Sequence, residues 1–180
     1  MSKRAKEAAI GHRVNRLDIP IQQSYDDFIR RFEGAVPMLD RERAVGFVER
    51  QAPWSEIVAD AAASAPHDFL LYWKLDLTPL MSLAGNRWRA TEYLMGNHVI
   101  AETMYRHDPA VALYVPLRLA IYDSEEGTRF TIEQPSSTLS SLGQDEIRRV
   151  GIDLDRKLAT LLSALNVEVP MALSQSSAVA

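Results

Sequence analysis

Five side chains able to bind a metal or move protons crowd into residues 95–107: Met95, His98, Glu102, Met104 and His107. His98 and Glu102 stand four apart, so on a helix they share a face and can both reach one ion, with His107 folding back as a third ligand. Imidazole nitrogen with carboxylate oxygen suits zinc or non-haem iron, and histidine with methionine suits copper or haem. The spacing matches no established metal motif such as HExxH. The competing reading is an ordinary helix-surface pair of His98 with Glu102, worth roughly 0.2–0.5 kcal/mol. Nucleophilic chemistry has less support, because the sequence holds no GxSxG elbow, P-loop or dinucleotide fingerprint. Ser136, Ser137, Thr138, Ser140 and Ser141 form a hydroxyl-rich segment, but Pro135 and Gly143 flank it as a loop. A second set is aromatic: Tyr72, Trp73, Trp88, Tyr93, Tyr105, Tyr114 and Tyr122. Such side chains join an apolar body to a hydrogen-bonding tip, which suits a small-molecule pocket, an interface, or a sheet buried under helices.

The 180-residue chain has an ordinary globular composition and a formal net charge of −4. It contains no cysteine, which excludes disulfides, thiolate metal sites and a cysteine nucleophile. Within residues 1–16 five basic side chains face only Glu7, while the body is acidic. The basic stretch has no aromatic residue for stacking on bases, so a nucleic-acid partner is not expected. No apolar run approaches the ~20 residues of a membrane span, and no apolar region follows the basic start, so the expected location is cytoplasmic.

The elements that must position these residues follow from periodicity. Ser24 caps a helix carrying Tyr25, Phe28, Ile29 and Phe32 on one stripe, with Gly34 as its stop. Helical stretches follow from about Asp40 to Arg50 and from Ser55 to Pro66. From Phe69 to Leu77 the texture turns aromatic and β-rich, and Arg87–Met95 is a second strand candidate. Val99, Ile100, Thr103 and Met104 make a short helix closed by His107-Asp108-Pro109. Leu117–Tyr122 and Thr128–Glu133 flank the turn Asp123–Gly127 as a hairpin. Asp145–Leu165 places large aliphatic residues at intervals of three, four and seven, the pattern of a long amphipathic helix. The fold class is α+β: an antiparallel sheet of four to five strands packed against helices.

Gly96-Asn97, then Met104, then Asp108-Pro109, then Pro116-Leu117-Arg118 leading into a strand, resemble the bacterial domain-of-unknown-function family 302. Ser24–Glu33 and the leucine-rich last helix are similar to that family's first and last helices. The resemblance implies a small α+β domain, a dimer in some members, with no established activity. The sequence departs from the pattern at His98, where the family usually has proline, and in an added helical segment over 34–66. The expected organisation is a flexible basic arm at 1–18, a single domain over 19–166 and a tail at 167–180. The expected function is a non-catalytic small-molecule-binding or dimeric interaction module. Its surface is the sheet, with Trp73, Trp88, Tyr93, Tyr122 and Arg118 near it, and its partners are a second copy and a small apolar or aromatic ligand. No cofactor is required by the sequence. The alternative is a metal-dependent enzyme or metalloprotein using His98, Glu102 and His107.

Overall fold

The structure is a computed structural model and describes residues 8–175. Leu17, Ile19 and Ile21 alternate with Arg16, Asp18 and Pro20, and this period of two makes the first strand, β1 (Arg16–Ile21). The strand begins inside the stretch expected as a free arm. Pro20 lacks an amide donor, which a strand tolerates only at a sheet edge, and β1 is an edge strand paired solely with β5 (Gly127–Glu133). Just before it, the His12 ring meets Tyr114 edge-on and the Asn15 amide donates to Ser137 Oγ, so residues 12–15 lie against the body. The rest of the expected arm, residues 1–7, and of the tail, 176–180, lies outside the described residues.

Chain order continues with α1 (Tyr25–Ala35), α2 (Arg41–Glu49), α3 (Trp54–Ser64), β2 (Leu70–Asp76), α4 (Thr78–Ser82), β3 (Ala90–Gly96), α5 (His98–Tyr105), β4 (Leu117–Ser124), β5, α6 (Pro135–Leu139), α7 (Asp145–Ala164) and α8 (Met171–Gln175). The five strands form one antiparallel sheet in the order β1-β5-β4-β3-β2. The α+β architecture expected from the residues is therefore the one observed. Helix α1 runs one residue past Gly34, and Ser24 caps it by accepting from the Asp27 amide.

One face of the sheet carries Leu17, Ile19, Phe130, Ile132, Leu119, Ile121, Tyr93 and Met95. Phe28 and Phe32 of α1 and the leucine stripe of α7 close over it, with the Phe32 ring 5.1 Å from Tyr93 and 5.9 Å from Phe130. The opposite face is largely bare, and the register places Trp73, Leu94 and Arg118 in one row across it.

The hydroxyl-rich segment expected as a loop is instead α6 followed by a 3₁₀ turn over Ser140–Leu142. A buried carboxylate sets its position: Ser136 donates from its amide to Asp155 Oδ1 at 3.0 Å and from Oγ to Oδ2 at 2.6 Å. Gly151 lets α6 lie close against α7, since a Cβ there would stand 3.0 Å from Ser136 Cα. No helix among the described residues is long and apolar enough to cross a membrane.

Candidate functional site

Helices α2 and α3 form a hairpin hung on the β2 edge. Asp40 caps α2 by accepting from the Arg43 amide, and Arg50 ties the two helices together through its pair with Glu56. The connection to the sheet is a short parallel bridge. The Leu71 amide donates to Pro37 O at 2.8 Å, the Leu39 amide to Leu71 O at 2.9 Å, and the Arg41 guanidinium to Tyr72 O.

Between this hairpin and the sheet lies a cavity of about 330 Å³. Phe47, Trp54 and Ile57 line it from the helices, Leu70 and Tyr72 from β2, and His98 from the first turn of α5. Tyr72 occupies a β-bulge, the register shifting between Leu71 and Trp73, which re-aims its side chain relative to a regular strand. Two polar pairs stand in the apolar wall. Tyr72 Oη and His98 Nδ1 share a hydrogen bond of 2.8 Å, the imidazole tautomer deciding which atom donates. Arg43 Nη2 lies 2.5 Å from Asp60 Oδ1, an ion-pair contact at an angle that is not a hydrogen bond.

Burial pushes the Tyr72 phenol up to about 12, against the opposing hydrogen bond from the His98 backbone. Burial likewise lowers the His98 imidazole below its ordinary value, and the nearby Asp60 charge only partly opposes this. At neutral pH both groups are thus uncharged, and the pair offers hydrogen bonding to a guest instead of an ionised nucleophile. A second cavity of about 130 Å³ lies beyond, with Ala101, buried Met104, Pro116 and buried Leu154 in its walls. A larger hollow, about 780 Å³, is an open trough on the bare sheet face, where Glu92, Arg118 and Glu133 line part of it.

The structure scatters the set expected from the sequence. Tyr93 is a core residue: it points into the helix-covered face, is fully buried, and donates from Oη to Glu33 Oε1 at 2.7 Å. Burial, then that carboxylate, raise its phenol far above the usual range. Trp88 and Tyr122 do meet, around a shallow hollow of about 470 Å³ at the far end of the sheet, where Tyr122 donates to Asp18. Trp73 and Arg118 stand apart from them on the bare face, Arg118 beside Glu92 at 3.5 Å.

The proposed metal ligands also part company, because each has another partner or place. His98 turns to Tyr72, Glu102 pairs with Arg106 on the same helix, and His107 lies in the turn beyond it. Among the described residues no group of three or more His, Asp or Glu side chains gathers to hold an ion.

The motif residues do structural work. Asn97 caps α5, accepting from the Val99 and Ile100 amides and donating to Asp68 O. Asp108 caps the 3₁₀ turn that Pro109 opens, and Met104 and Leu117 are buried. Gly96 sits at a close approach, since a Cβ there would stand 3.3 Å from Pro116 Cβ.

Sequence reasoning missed Arg43, Phe47, Trp54, Ile57, Asp60 and Leu70 as a site. The available signal was an apolar surplus on α2 and α3, where Val45, Val48 and Val58 remain exposed alongside the side that packs.

The comparisons with known proteins agree with the fold. The chain is similar to the crystal structure of an uncharacterised conserved DUF302 protein from Bacillus stearothermophilus, with a TM-score of 0.57 and 13% identity over 83% of this chain and 95% of that one. No curated protein matches. The family model for the domain of unknown function DUF302 matches residues 48–165. That stretch contains Trp54, Asp60, Tyr72 and His98 but begins within α2, so the wall from Pro37 to Phe47 lies outside it. With two thirds of its length matched, this chain belongs to the DUF302 family.

Proposed function

We propose that this chain is a non-catalytic small-molecule-binding domain whose ligand lies in the cavity under α2 and α3. The observation that carries the reading is a mostly apolar space of about 330 Å³ with few polar side chains in its wall, the pairs Tyr72–His98 and Arg43–Asp60 together with Asp40 and Ser64. Ligand sites have this character: mostly apolar, partly enclosed, with a few fixed groups to orient the guest. The trough on the sheet is larger, but it is open and carries charge across its floor. The guest is small and apolar, with at most a modest polar head for the neutral phenol–imidazole pair.

The test is titration with N-phenylnaphthylamine, read by its own fluorescence and by energy transfer from Trp54. The expected result is saturable binding that is lost in Ala44→Trp, which fills the cavity, and kept in Trp73→Ala and Trp88→Ala. Binding that survives Ala44→Trp and disappears with Trp73→Ala would place the ligand on the sheet and end this reading.

A second reading, association of two copies through the bare face, rests on the row Trp73–Leu94–Arg118, with Trp73 and Leu75 both exposed. It predicts a dimer in sedimentation that Leu94→Glu converts to monomer. A wild-type chain that sediments as a monomer at high concentration would refute it.

A further inference from the structure

Tyr72 and His98 are the two residues that line both the 330 Å³ cavity and the 130 Å³ cavity. Their side chains are joined at 2.8 Å. The outer cavity is otherwise built from the α2–α3 hairpin and the start of β2. The second is built from α5, Pro116, Leu117 and Leu154. The two cavities thus meet at this pair, whose side chains are joined by one hydrogen bond.

We propose that the two cavities form one elongated site, and that its ligand is a molecule with an unbranched apolar chain that passes between Tyr72 and His98 toward Met104. The inference rests on the outer cavity being the ligand site, and it adds the shape of the ligand. Three observations argue for a chain over a compact ring. The second cavity is narrow in volume yet apolar, with Ala101, Met104 and Leu154 in its walls, so it rewards methylene groups and offers little to a polar group. Its one bonded polar side-chain pair is the one at which the cavities meet, and a chain that displaces that hydrogen bond leaves each partner close to Asp60 or to the outer cavity's polar wall. Finally, Arg43 is more than half exposed while its partner Asp60 is largely buried near His98, so a polar head held by the Arg43 guanidinium keeps contact with solvent. A guest with a polar head and a single tail matches that arrangement.

The experiment uses the full-length protein labelled with ¹³C at the methionine methyls, titrated separately with hexanol and decanol. Met38 reports on the outer cavity and Met104 on the second. Hexanol is expected to shift Met38 alone, and decanol to shift both. Each methylene that becomes buried adds about fourfold in affinity, so decanol binds up to roughly two hundredfold tighter than hexanol. In Ala101→Leu, which fills the second cavity, the decanol-to-hexanol ratio falls toward unity. Decanol that moves Met38 and leaves Met104 unmoved overturns the elongated site and leaves the outer cavity as the binding site. If neither alcohol moves Met38, both readings fall.

Discussion

Alanine for glycine should act in opposite directions at two helical positions of this protein. In α7, Gly151→Ala adds a Cβ that stands 3.0 Å from Ser136 Cα and 3.3 Å from Leu139 Cβ. Helix propensity alone favours the change by about 1 kcal/mol. Overpacking opposes it, typically by ~1–3 kcal/mol. Steric strain should win here, because the nearest atom is backbone and α6 is not free to retreat. Ser136 is held to Asp155, one turn further along α7, by bonds of 3.0 and 2.6 Å. The expected net loss, overpacking less propensity, is up to about 2 kcal/mol, which for a chain of this size lowers Tm by up to roughly 8 °C. Gly46 in α2 is the control, since a Cβ there meets nothing within 4 Å. Gly46→Ala should therefore gain about 1 kcal/mol and raise Tm by ~2–4 °C. Urea unfolding of the three proteins, with equal slopes, measures both differences. If Gly151→Ala stabilises the fold as Gly46→Ala does, the close approach of α6 to α7 is wrong and the steric argument fails.

Three further outcomes follow. His98 has a folded pKa held below the ordinary 6.5, so its contribution is fully present above that value and is lost as pH falls through it toward the folded value. Tm of the wild type should drop more steeply between pH 7 and 5 than that of His98→Gln, and parallel curves would refute the burial of the neutral ring. Asn97→Ala removes the α5 cap and the bond to Asp68 O, at a cost of about 1–2 kcal/mol. Asn97→Asp keeps the acceptor and should lose less, so equal losses in a denaturant titration would count against the capping role. Tyr93→Phe should cost about 1 kcal/mol through the lost bond to Glu33, whereas Trp88→Phe on the surface should stay within ~0.5 kcal/mol of wild type. Reversed magnitudes in chemical unfolding would return Tyr93 to the surface.

Local pattern carried much of the architecture. The α7 stripe, the β4–β5 hairpin and the Ser24 cap each follow from a period or a capping residue within one segment, and those signals need no tertiary partner. Strand β1 was hidden by Pro20 and by its basic flank, since its assignment depends on pairing with Glu133–Thr128, more than a hundred residues away. Tyr93 was misplaced for a related reason: alternation says that Thr91, Tyr93 and Met95 share a face, but which face is covered depends on where α1 and α7 land. The cavity was illegible because its paired polar residues, Arg43 with Asp60 and Tyr72 with His98, come from four elements. The bulge that redirects Tyr72 leaves no mark in a β-rich run.

The short bridge from Pro37–Leu39 to Leu71 also guards the sheet against its own kind. An edge strand offers a row of unsatisfied amides and carbonyls on which another polypeptide can add, the usual route to runaway aggregation. Here the first part of β2 is already occupied by the chain's own backbone, and the bulge and Lys74 interrupt the remainder. At the other margin Pro20 withholds a donor, and Arg16 and Asp18 put charge beside it. Strand-by-strand polymerisation is thus discouraged at both margins of the sheet.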